Sequence, residues 1–532
     1  MKQKKVLVAL AAGTVALAVA GAVVVRSLID PDHVRHVLER QASSRLGQPV
    51  TIGRAELSWW PRAGVTLTDV VVGQPAAVTL ARTELSTAMR ALLGRRIEDA
   101  EVSVHDSELD LPLLLATLDR LSSGGTSPGG RAAPGANATV ARSPEPVDSS
   151  SSGVTLVNVR AIELQNVRIR AGSRAAVVNL ESALDGDRLD IESASVESNV
   201  TSLKATGRIE SLTNRKGQLS ITAETLDLDG LVVFAQEFAR QAMPATSAAA
   251  AAKSGDRGGP LDLTLAITAV RGSAASVPFE QLAATARIEP GGVSIEPMTA
   301  RMFSGGIESA IRLDLSGVEP AIDVKGALKS LDMTQLTAFA GQPGAISGTL
   351  SGSFSANGRG TDPAAALSRA RGQGLATITD GAVKGLQLVR PIVLAFGRPD
   401  AVQPTEGGER FSRLAANFNL AAGVVTLSNL VLESRDVQTE GAGTLAIASR
   451  SLDIRANARL SQELTAQAGR DLVRYTVQDG RVTVPVTITG PLDAPQVGVN
   501  IAGVAERAIQ NELKRRTESA IRDLFKRKRP QD

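Results

Sequence analysis

The chain lacks cysteine and is poor in aromatic residues. Among its 532 residues there is no Cys, and Phe, Trp and Tyr together make up 2%. The absence of thiols excludes disulfides, thiolate catalysis, zinc sites with cysteine ligands and lipid attachment through an N-terminal Cys. Large enzyme cores usually draw on more aromatic side chains than this. The composition therefore favours an elongated body with a thin, aliphatic interior.

The net charge is small and lies at the two ends of the chain. Lys and Arg number 58 against 55 Asp and Glu, which gives a formal charge of +3. The excess comes from Lys2, Lys4 and Lys5 and from residues 505–532, where nine basic residues face five acidic ones. A charge of this size is too small for a field that attracts nucleic acid across the whole surface. We expect no nucleic-acid partner.

Side chains for catalysis or metal binding do not cluster in the sequence. His33 and His36 are three residues apart, but no further His or Cys completes a metal site with them. There is no Gly-x-Ser-x-Gly elbow and no phosphate-binding loop. The segment 441–446 fits a loose Gly-x-Gly-x-x-Ala pattern, but a strand pattern follows it where a dinucleotide site needs a helix. We predict a protein that is not an enzyme and that needs no cofactor or metal.

An uncharged apolar segment stands near the start of the chain. Residues 6–25 carry no charge, and a helix of this length is roughly 30 Å long, enough to cross one bilayer. The sequence predicts a cytoplasmic tail over residues 1–5 and a transmembrane anchor over residues 6–26, with the rest exported. The anchor positions that we single out are Val6, Leu10, Leu17 and Val25. A cleaved signal peptide is the alternative, because residues 18–20 fit the small-x-small rule.

After one helix, hydrophobic residues recur with a period of two. Asp30 and Pro31 begin that helix, which ends near Leu46 and Gly47. From Val50 onward, alternation predicts strands with one apolar and one polar face, mostly in antiparallel hairpins. A pattern of Leu-x-Asx-apolar-x-apolar recurs and predicts a kink at each Asx; it occupies residues 67–72, 164–169 and 427–432. Short helices are predicted over residues 230–241, 332–340, 363–370 and 391–396.

Composition divides the exported part into regions. Two segments rich in Ser, Gly, Pro or Ala predict flexible linkers. The regions are residues 30–120 (helix plus strands), 121–153 (linker), 154–242 (middle β region), 243–260 (linker), 261–500 (β-groove) and 501–532 (basic amphipathic helix). The last helix either packs on the sheet with its basic face in solvent, or lies on an anionic membrane or docks a partner. Trp59, Trp60 and Pro61 either cap the first region or contact a membrane interface.

The order of these motifs resembles that of the AsmA-like family of bacterial envelope proteins. After the anchor and helix come Val50-Thr-Ile-Gly53, Leu57-Ser-Trp-Trp-Pro61 and Leu67-Thr-Asp-Val70, although Gln48 replaces the family's usual basic residue. The C-terminal part matches in the same order. Its motifs are Gly348-Thr-Leu-Ser-Gly352, Gly374-Leu-Ala-Thr-Ile-Thr-Asp-Gly381, Phe411-Ser-Arg-Leu414, Gly423-Val-Val-Thr-Leu427, Gly441-Ala-Gly-Thr-Leu445, Val484-Pro-Val486 and Gly490-Pro-Leu-Asp-Ala-Pro495.

The resemblance implies a single-pass protein of the bacterial inner membrane whose bulk lies in the periplasm. Its fold would be mainly β: an N-terminal transmembrane helix, an elongated, curled, antiparallel-rich sheet that forms an apolar groove, a few short helices and a C-terminal amphipathic helix. Like bridge-like lipid transfer proteins, it would carry phospholipid between the inner and outer membranes. The partners would be the inner membrane, phospholipid acyl chains, and an outer-membrane or envelope protein at the C-terminal helix.

The apolar sides of the predicted strands would line such a groove. The residues that we assign to the lining are Leu263, Leu265, Ile267, Leu313, Leu315, Val482, Val484, Val486 and Ile488. The alternative is a periplasmic scaffold or assembly factor for outer-membrane proteins, in which a second sheet or a client protein would close the apolar face.

Overall fold

The computed structural model of the protein describes most of the chain between residues 31 and 500. The described residues are 31–58, 62–88, 96–114, 155–156, 158–198, 201–242, 260–274, 276–317, 319–360, 369–395, 408–467, 476–500, 509, 513 and 516–518. The predicted anchor, the segment 59–61, the linker 121–153 and nearly all of the linker 243–260 lie outside them, as does most of the helix predicted at 363–370. Within the described ranges, no helix has the length and hydrophobicity needed to span a membrane.

Strands dominate the described residues, with a few helices between them, which confirms the predicted mainly-β class. The helices are α1 (Pro31–Leu46), α2 (Leu228–Ala242), α3 (Met333–Phe339), α4 (Val389–Ala395) and α5 (Gln462–Gln467). The strands up to residue 274 are β1 (Val50–Ser58), β2 (Ala63–Val72), β3 (Val78–Thr87), β4 (Arg96–Ile97), β5 (Ala100–His105), β6 (Glu108–Asp110), β7 (Thr155–Leu156), β8 (Val159–Ala171), β9 (Arg174–Asp185), β10 (Arg188–Ser198), β11 (Ser202–Ser211), β12 (Lys216–Asp227) and β13 (Asp262–Ala274). The later strands are β14 (Val277–Glu289), β15 (Gly292–Met302), β16 (Gly305–Asp314), β17 (Ala321–Asp332), β18 (Ile346–Arg359), β19 (Arg371–Val383), β20 (Glu409–Ala421), β21 (Val424–Glu433), β22 (Val437–Ala446), β23 (Ser451–Leu460), β24 (Val477–Gln478), β25 (Arg481–Pro491) and β26 (Gln496–Val499).

The chain divides into two compact units. Unit 1 comprises residues 1–276 and 288–290, and unit 2 comprises residues 277–287 and 291–532. The predicted linker 243–260 falls inside unit 1, where β12 and β13 on either side of it pair directly with each other. Because of this pairing, β13, the first strand of the predicted 261–500 region, belongs to the same sheet as the middle β region.

Unit 1 mixes antiparallel and parallel pairing. The strands β1, β2 and β3 pair antiparallel, as do β8 to β12 in succession. Parallel pairs occur where the connection is long. Across the segment that follows β6, β4 pairs with β7, and β5 and β6 pair with β8; across α2 and the following segment, β12 pairs with β13. Two neighbouring strands can run parallel only when such a crossover joins them. The expected antiparallel sheet is thus the majority pattern, with these exceptions.

The pairings described inside unit 2 are all antiparallel. From β15 to β23, each strand pairs with the next one along the chain, and β25 then joins β23. The helix α3 begins as predicted, because the side chain of Asp332 accepts hydrogen bonds from the backbone N–H groups of Thr334 and Gln335. The predicted helices at 230–241 and 391–396 correspond to α2 and α4.

The recurring Asx pattern marks kinks in three strands. Asp69, Asn166 and Asn429 have φ angles of 53°, 51° and 49°, in the left-handed region that Asp and Asn tolerate better than most residues. The register of pairing shifts beside Asn166 and Asn429. Such a bulge inserts one extra residue, so the apolar side chains on both sides of it remain on the same face of the sheet.

The helix α1 covers the outer edge of β1 with polar side chains spaced one turn apart. The carboxylate Oε1 of Glu39 accepts a hydrogen bond from the backbone N–H of Ile52 at 2.9 Å. Ser43 Oγ accepts one from Val50 N at 2.8 Å, and Arg35 Nη1 donates one to the carbonyl oxygen of Gly53 at 3.3 Å. An uncovered edge strand would present these groups to any other chain. The stripe formed by Arg35, Glu39 and Ser43 therefore takes the place of a neighbouring strand.

Candidate functional site

An apolar face runs across the strands β8 to β13 of unit 1. On β13, Leu265 lies beside Leu219 of β12, and Ile267 lies beside Ile221. The register continues these rows through apolar residues of β11, β10, β9 and β8, which include Ala205, Ala194, Leu180 and Leu164. Leu263, Leu265 and Ile267 therefore share one face, as the alternation predicts, and the exposed side chain of Thr268 is on the other.

The apolar face of unit 1 is only half covered. Along β11, the apolar-face residues Leu203, Ala205 and Ile209 are half-buried, while the intervening polar residues are exposed. Val196 on the same face is 38% exposed. The helix α2 packs against β13 and also against β8 and β9. A side chain that is half-buried on an apolar face still presents carbon surface to anything that enters beside it.

Unit 2 carries a second apolar face, whose register extends over nine strands from β15 to β23. One row across these strands consists of Ile295, Ile311, Val324, Ala356, Gly372, Leu420, Val425, Leu445 and Leu452. Nine strands at roughly 4.8 Å spacing make this row about 40 Å long. Leu313 belongs to this face, paired with Val293 on one side and Ile322 on the other.

One half of this face is closed by helices, and we call it the closed half. Leu388, just before α4, and Ile392 within it are both 0% exposed. They belong to one cluster with four residues of β25: Val482, Val484, Val486 and Ile488. The helix α3 contributes Met333 to the same cluster, and Thr465 Oγ1 of α5 accepts a hydrogen bond from Val482 N at 3.2 Å. The four β25 residues, which we assigned to a groove lining, thus lie in the closed half and face no open surface.

The other half, which we call the open half, has no such cover among the described residues. It comprises Val293, Ile295, Leu313, Ile322, Val324, Ala356, Leu420, Val425 and Leu445, all half-buried or more exposed. Ile322 is 37% exposed. Leu315, also assigned to the lining, follows the end of β16 and is 51% exposed, outside the strand pairing. Of the predicted lining residues, Leu263, Leu265 and Ile267 in unit 1 and Leu313 in unit 2 are on open apolar faces.

A carboxyl group lies at the border of the closed half. Glu409 at the start of β20 is half-buried, and its Oε2 accepts a hydrogen bond from Leu388 N at 3.4 Å. Burial raises the pKa of Glu409 above its ordinary value of 4.5, and the nearby charge of Asp436 adds to the rise, while hydrogen bonds from Ser434 and Leu388 oppose it. Within the described ranges, no group of His, Asp and Glu side chains is placed to hold a metal ion.

The C-terminal helix is described at a few positions. Residues 509, 513 and 516–518 are helical, and Ile509 and Leu513 are 63% and 60% exposed. Residues at positions i and i+4 lie on one side of a helix, so these two side chains share an exposed stripe. The predicted packing of this helix against the sheet does not bury either of them.

Sequence reasoning missed the division of the second apolar face into a closed and an open half. A period of two reports which side of a strand is apolar but not whether a helix covers that side. The segment 386–395 was the available signal, because Leu386 and Leu388 before α4 and Ile392 within it are apolar side chains that need an apolar surface to pack against.

Comparison with known proteins gives one family. The model of the AsmA family matches residues 1–120 and 179–430, which together are well over half of the chain. No curated protein sequence and no solved structure has significant similarity to the chain.

Proposed function

The chain belongs to the AsmA family, which indicates an envelope-associated function, and from this premise we propose that it carries phospholipid between the inner and outer membranes of a bacterium. The observation that carries the proposal is the pair of half-covered apolar sheet faces, one in each unit. In this proposal residues 6–26 anchor the chain in the inner membrane and its bulk lies in the periplasm. Acyl chains lie on the apolar faces, while headgroups remain in water at their borders.

The dimensions of the open half suit an acyl chain. From β15 to β22, at roughly 4.8 Å per strand, the open half extends about 34 Å, which exceeds the roughly 30 Å of hydrocarbon in a whole bilayer, so a single lipid tail occupies only part of it. Each CH₂ group removed from water stabilises the bound lipid by about 0.8 kcal/mol. Most positions along the row carry Leu, Ile or Val, and Ala356 and Gly372 are the smaller ones. A tail can therefore shift by one strand among similar aliphatic contacts without a large change in free energy.

The proposal assigns no energy source to the chain itself. The direction of transfer then comes from a concentration gradient or from partners. We propose that one such partner, an outer-membrane or envelope protein, binds the exposed stripe of Ile509 and Leu513 on the C-terminal helix. No catalytic step enters the scheme, and the protein acts as a binding and transfer module without a cofactor.

Site-specific photo-crosslinking in intact cells tests the proposal. Probes at Leu265 and Leu313 sit on the two apolar faces, and probes at the neighbouring exposed positions Thr268 and Arg312 sit on the opposite faces of the same strands. We expect phospholipid adducts at the first two positions and none at the second two.

Two other results would change the conclusion. Equal adducts on both sides of a strand would mean that lipid contacts the surface without a defined site. Adducts with other proteins alone, at Leu265 and Leu313, would replace lipid transfer by the assembly role, since a client would then cover the apolar faces. A second experiment measures the lipid that copurifies with the protein. Leu265→Asp is expected to reduce its amount, and the control substitution Thr268→Asp is expected to leave it unchanged.

A further inference from the structure

A cavity of about 1080 Å³ lies in unit 2, and its lining places it on the polar face of the sheet. Two adjacent rows of side chains border it: one passes through Gln373 and Asn419, and the other through Ser353, Asn417 and Ser428. Residues next to each other along a strand point to opposite faces. Since Phe418 stands between Asn417 and Asn419 on the apolar face, these polar rows project from the other side of the sheet. The cavity is therefore distinct from the open half.

Five of the polar side chains that line this cavity are neutral and make no hydrogen bond to a described residue. Ser353, Gln373, Asn417, Asn419 and Ser428 are exposed in the structure, and none of these five side chains makes a hydrogen bond to any described residue. Side-chain amides both donate and accept hydrogen bonds, and hydroxyls do the same. The cavity thus offers an array of donors and acceptors that no group of the described chain uses.

Among the described residues that line the cavity, the charged ones are Glu296, Glu308 and Lys325, which lie on β15 to β17 at one end of it. Glu308 forms an ion pair with Lys329, which neutralises it, and Lys325 lies next to Ser355 across the strand pair. Elsewhere on the polar face of unit 2 the side chains form charge pairs, such as Arg413 with Glu433 at 3.9 Å. A polyanion needs several basic groups in a row, so this lining does not suit nucleic acid or any other highly charged polymer.

A large apolar side chain, that of Leu375, stands in one of the two polar rows. Leu375 belongs to the same row as Ser353 and Asn417, and it is 47% exposed on the polar face. The cavity crosses at least the five strands β16 to β20, which at about 4.8 Å each span roughly 20 Å from the first to the last. A ligand that fits must be extended, rich in neutral hydroxyl or amide groups, and able to present a C–H surface to Leu375.

We propose that this cavity binds a glycan strand of the bacterial envelope. Sugar rings have hydroxyl and acetamido groups around their edges and C–H groups on their faces, which matches the amide and hydroxyl rows around Leu375. An acyl chain would leave the five polar side chains unpaired, and a peptide strand has no free sheet edge to join, because β16 to β20 are each paired on both sides. The proposal is independent of lipid transfer, since it uses the opposite face of the sheet.

Co-sedimentation of the detergent-solubilised full chain with purified peptidoglycan sacculi tests this inference. The double variant Asn417→Ala/Asn419→Ala removes two unpartnered amides, and we expect its apparent affinity to fall about tenfold or more. The matched control is Asn357→Ala, an exposed Asn on the same face of unit 2 outside the cavity lining. A parallel arm with the soluble polysaccharide released from lipopolysaccharide distinguishes the two glycan sources.

The outcomes separate clearly. Loss of binding in the double variant, with binding by Asn357→Ala and the melting temperature unchanged, supports the glycan site. A loss with sacculi identifies peptidoglycan as the glycan, and a loss with the soluble polysaccharide identifies lipopolysaccharide. No binding of the wild-type chain in either arm, or an equal loss in Asn357→Ala, overturns the inference. The lipid adduct at Leu313 is expected to persist in the double variant, so failure of the glycan site and failure of lipid transfer are distinguishable.

Discussion

Removal of the Glu39 carboxylate should loosen the first strand of unit 1. Glu39 supplies the acceptor for the backbone N–H of Ile52, a residue that is only 5% exposed. In Glu39→Ala this N–H stays buried without a partner. Glu39→Gln keeps an acceptor oxygen at the same place and is the matched control, although it weakens the contact between Glu39 and His36 Nδ1 at 3.2 Å.

The expected magnitude follows from the type of hydrogen bond. A hydrogen bond to a charged group contributes about 1.5–3 kcal/mol, and a buried donor left unpaired costs a similar amount. Opening of the edge of β1 against α1 should therefore become easier by about 1.5–3 kcal/mol in Glu39→Ala. Because about 1.4 kcal/mol corresponds to a factor of ten, amide exchange at β1 should accelerate by about ten- to a hundredfold.

Hydrogen exchange followed by mass spectrometry on the full chain measures this directly. The peptide that covers Val50–Ser58 should exchange faster in Glu39→Ala and close to the wild-type rate in Glu39→Gln, while peptides from β20 and β21 in unit 2 stay unchanged. If exchange in β1 is the same in Glu39→Ala as in the wild type, the reasoning is refuted, and α1 contributes packing rather than edge pairing.

Two further predictions concern unit 2. Thr439 is 2% exposed and its Oγ1 has no hydrogen-bond partner among the described residues, so Thr439→Val should raise the free energy of unfolding by about 1 kcal/mol. The control is Thr337→Val, which removes a hydroxyl that donates to Met333 O at 2.8 Å and should lower the free energy of unfolding by about as much. Equal effects of the two substitutions in urea unfolding would contradict this use of the hydrogen-bond pattern. The pKa of Glu409 is raised in the folded state, so the folded chain holds this proton more tightly and loses stability as the pH rises above the ordinary value of 4.5. Glu409→Gln removes this loss, and its melting temperature relative to the wild type should therefore climb between pH 4.5 and neutral pH; a difference that does not change with pH would exclude the burial effect.

Local patterns predicted much of the fold. The alternation around Leu265 placed its side chain on the correct face because strand geometry fixes a period of two. The Asx pattern located the kinks at Asp69, Asn166 and Asn429, since few other residues adopt a left-handed conformation readily. The helix predicted over residues 332–340 is present as α3, and the structure shows that Asp332 caps it.

Features that depend on distant parts of the chain were not predictable in this way. The parallel pairing of β12 with β13 depends on how the chain returns after α2, and nothing in either strand encodes its direction. The apolar cluster of the closed half includes residues nearly a hundred positions apart, such as Ile392 of α4 and Val484 of β25. The polar cavity around Asn417 and Gln373 was also not predicted, because it depends on which strands are neighbours. Single exposed amides in a sequence do not indicate a binding site, and only the strand register shows that they lie side by side.

The uninterrupted neighbour-to-neighbour pairing of unit 2 has a consequence for how this unit forms. Each strand from β16 to β23 pairs with the strand that precedes it in the chain. Several of the connections are turns of a few residues, and the longest, residues 384–408 between β19 and β20, contains α4. Low sequence separation between contacting residues makes for fast folding, and a chain built in this manner can grow by addition at one end. Unit 2 can therefore assemble in the order of its synthesis, strand upon strand, with one unpaired edge at any moment. In unit 1, by contrast, β5 and β6 can pair with β8 only after residues 111–158 have been synthesised.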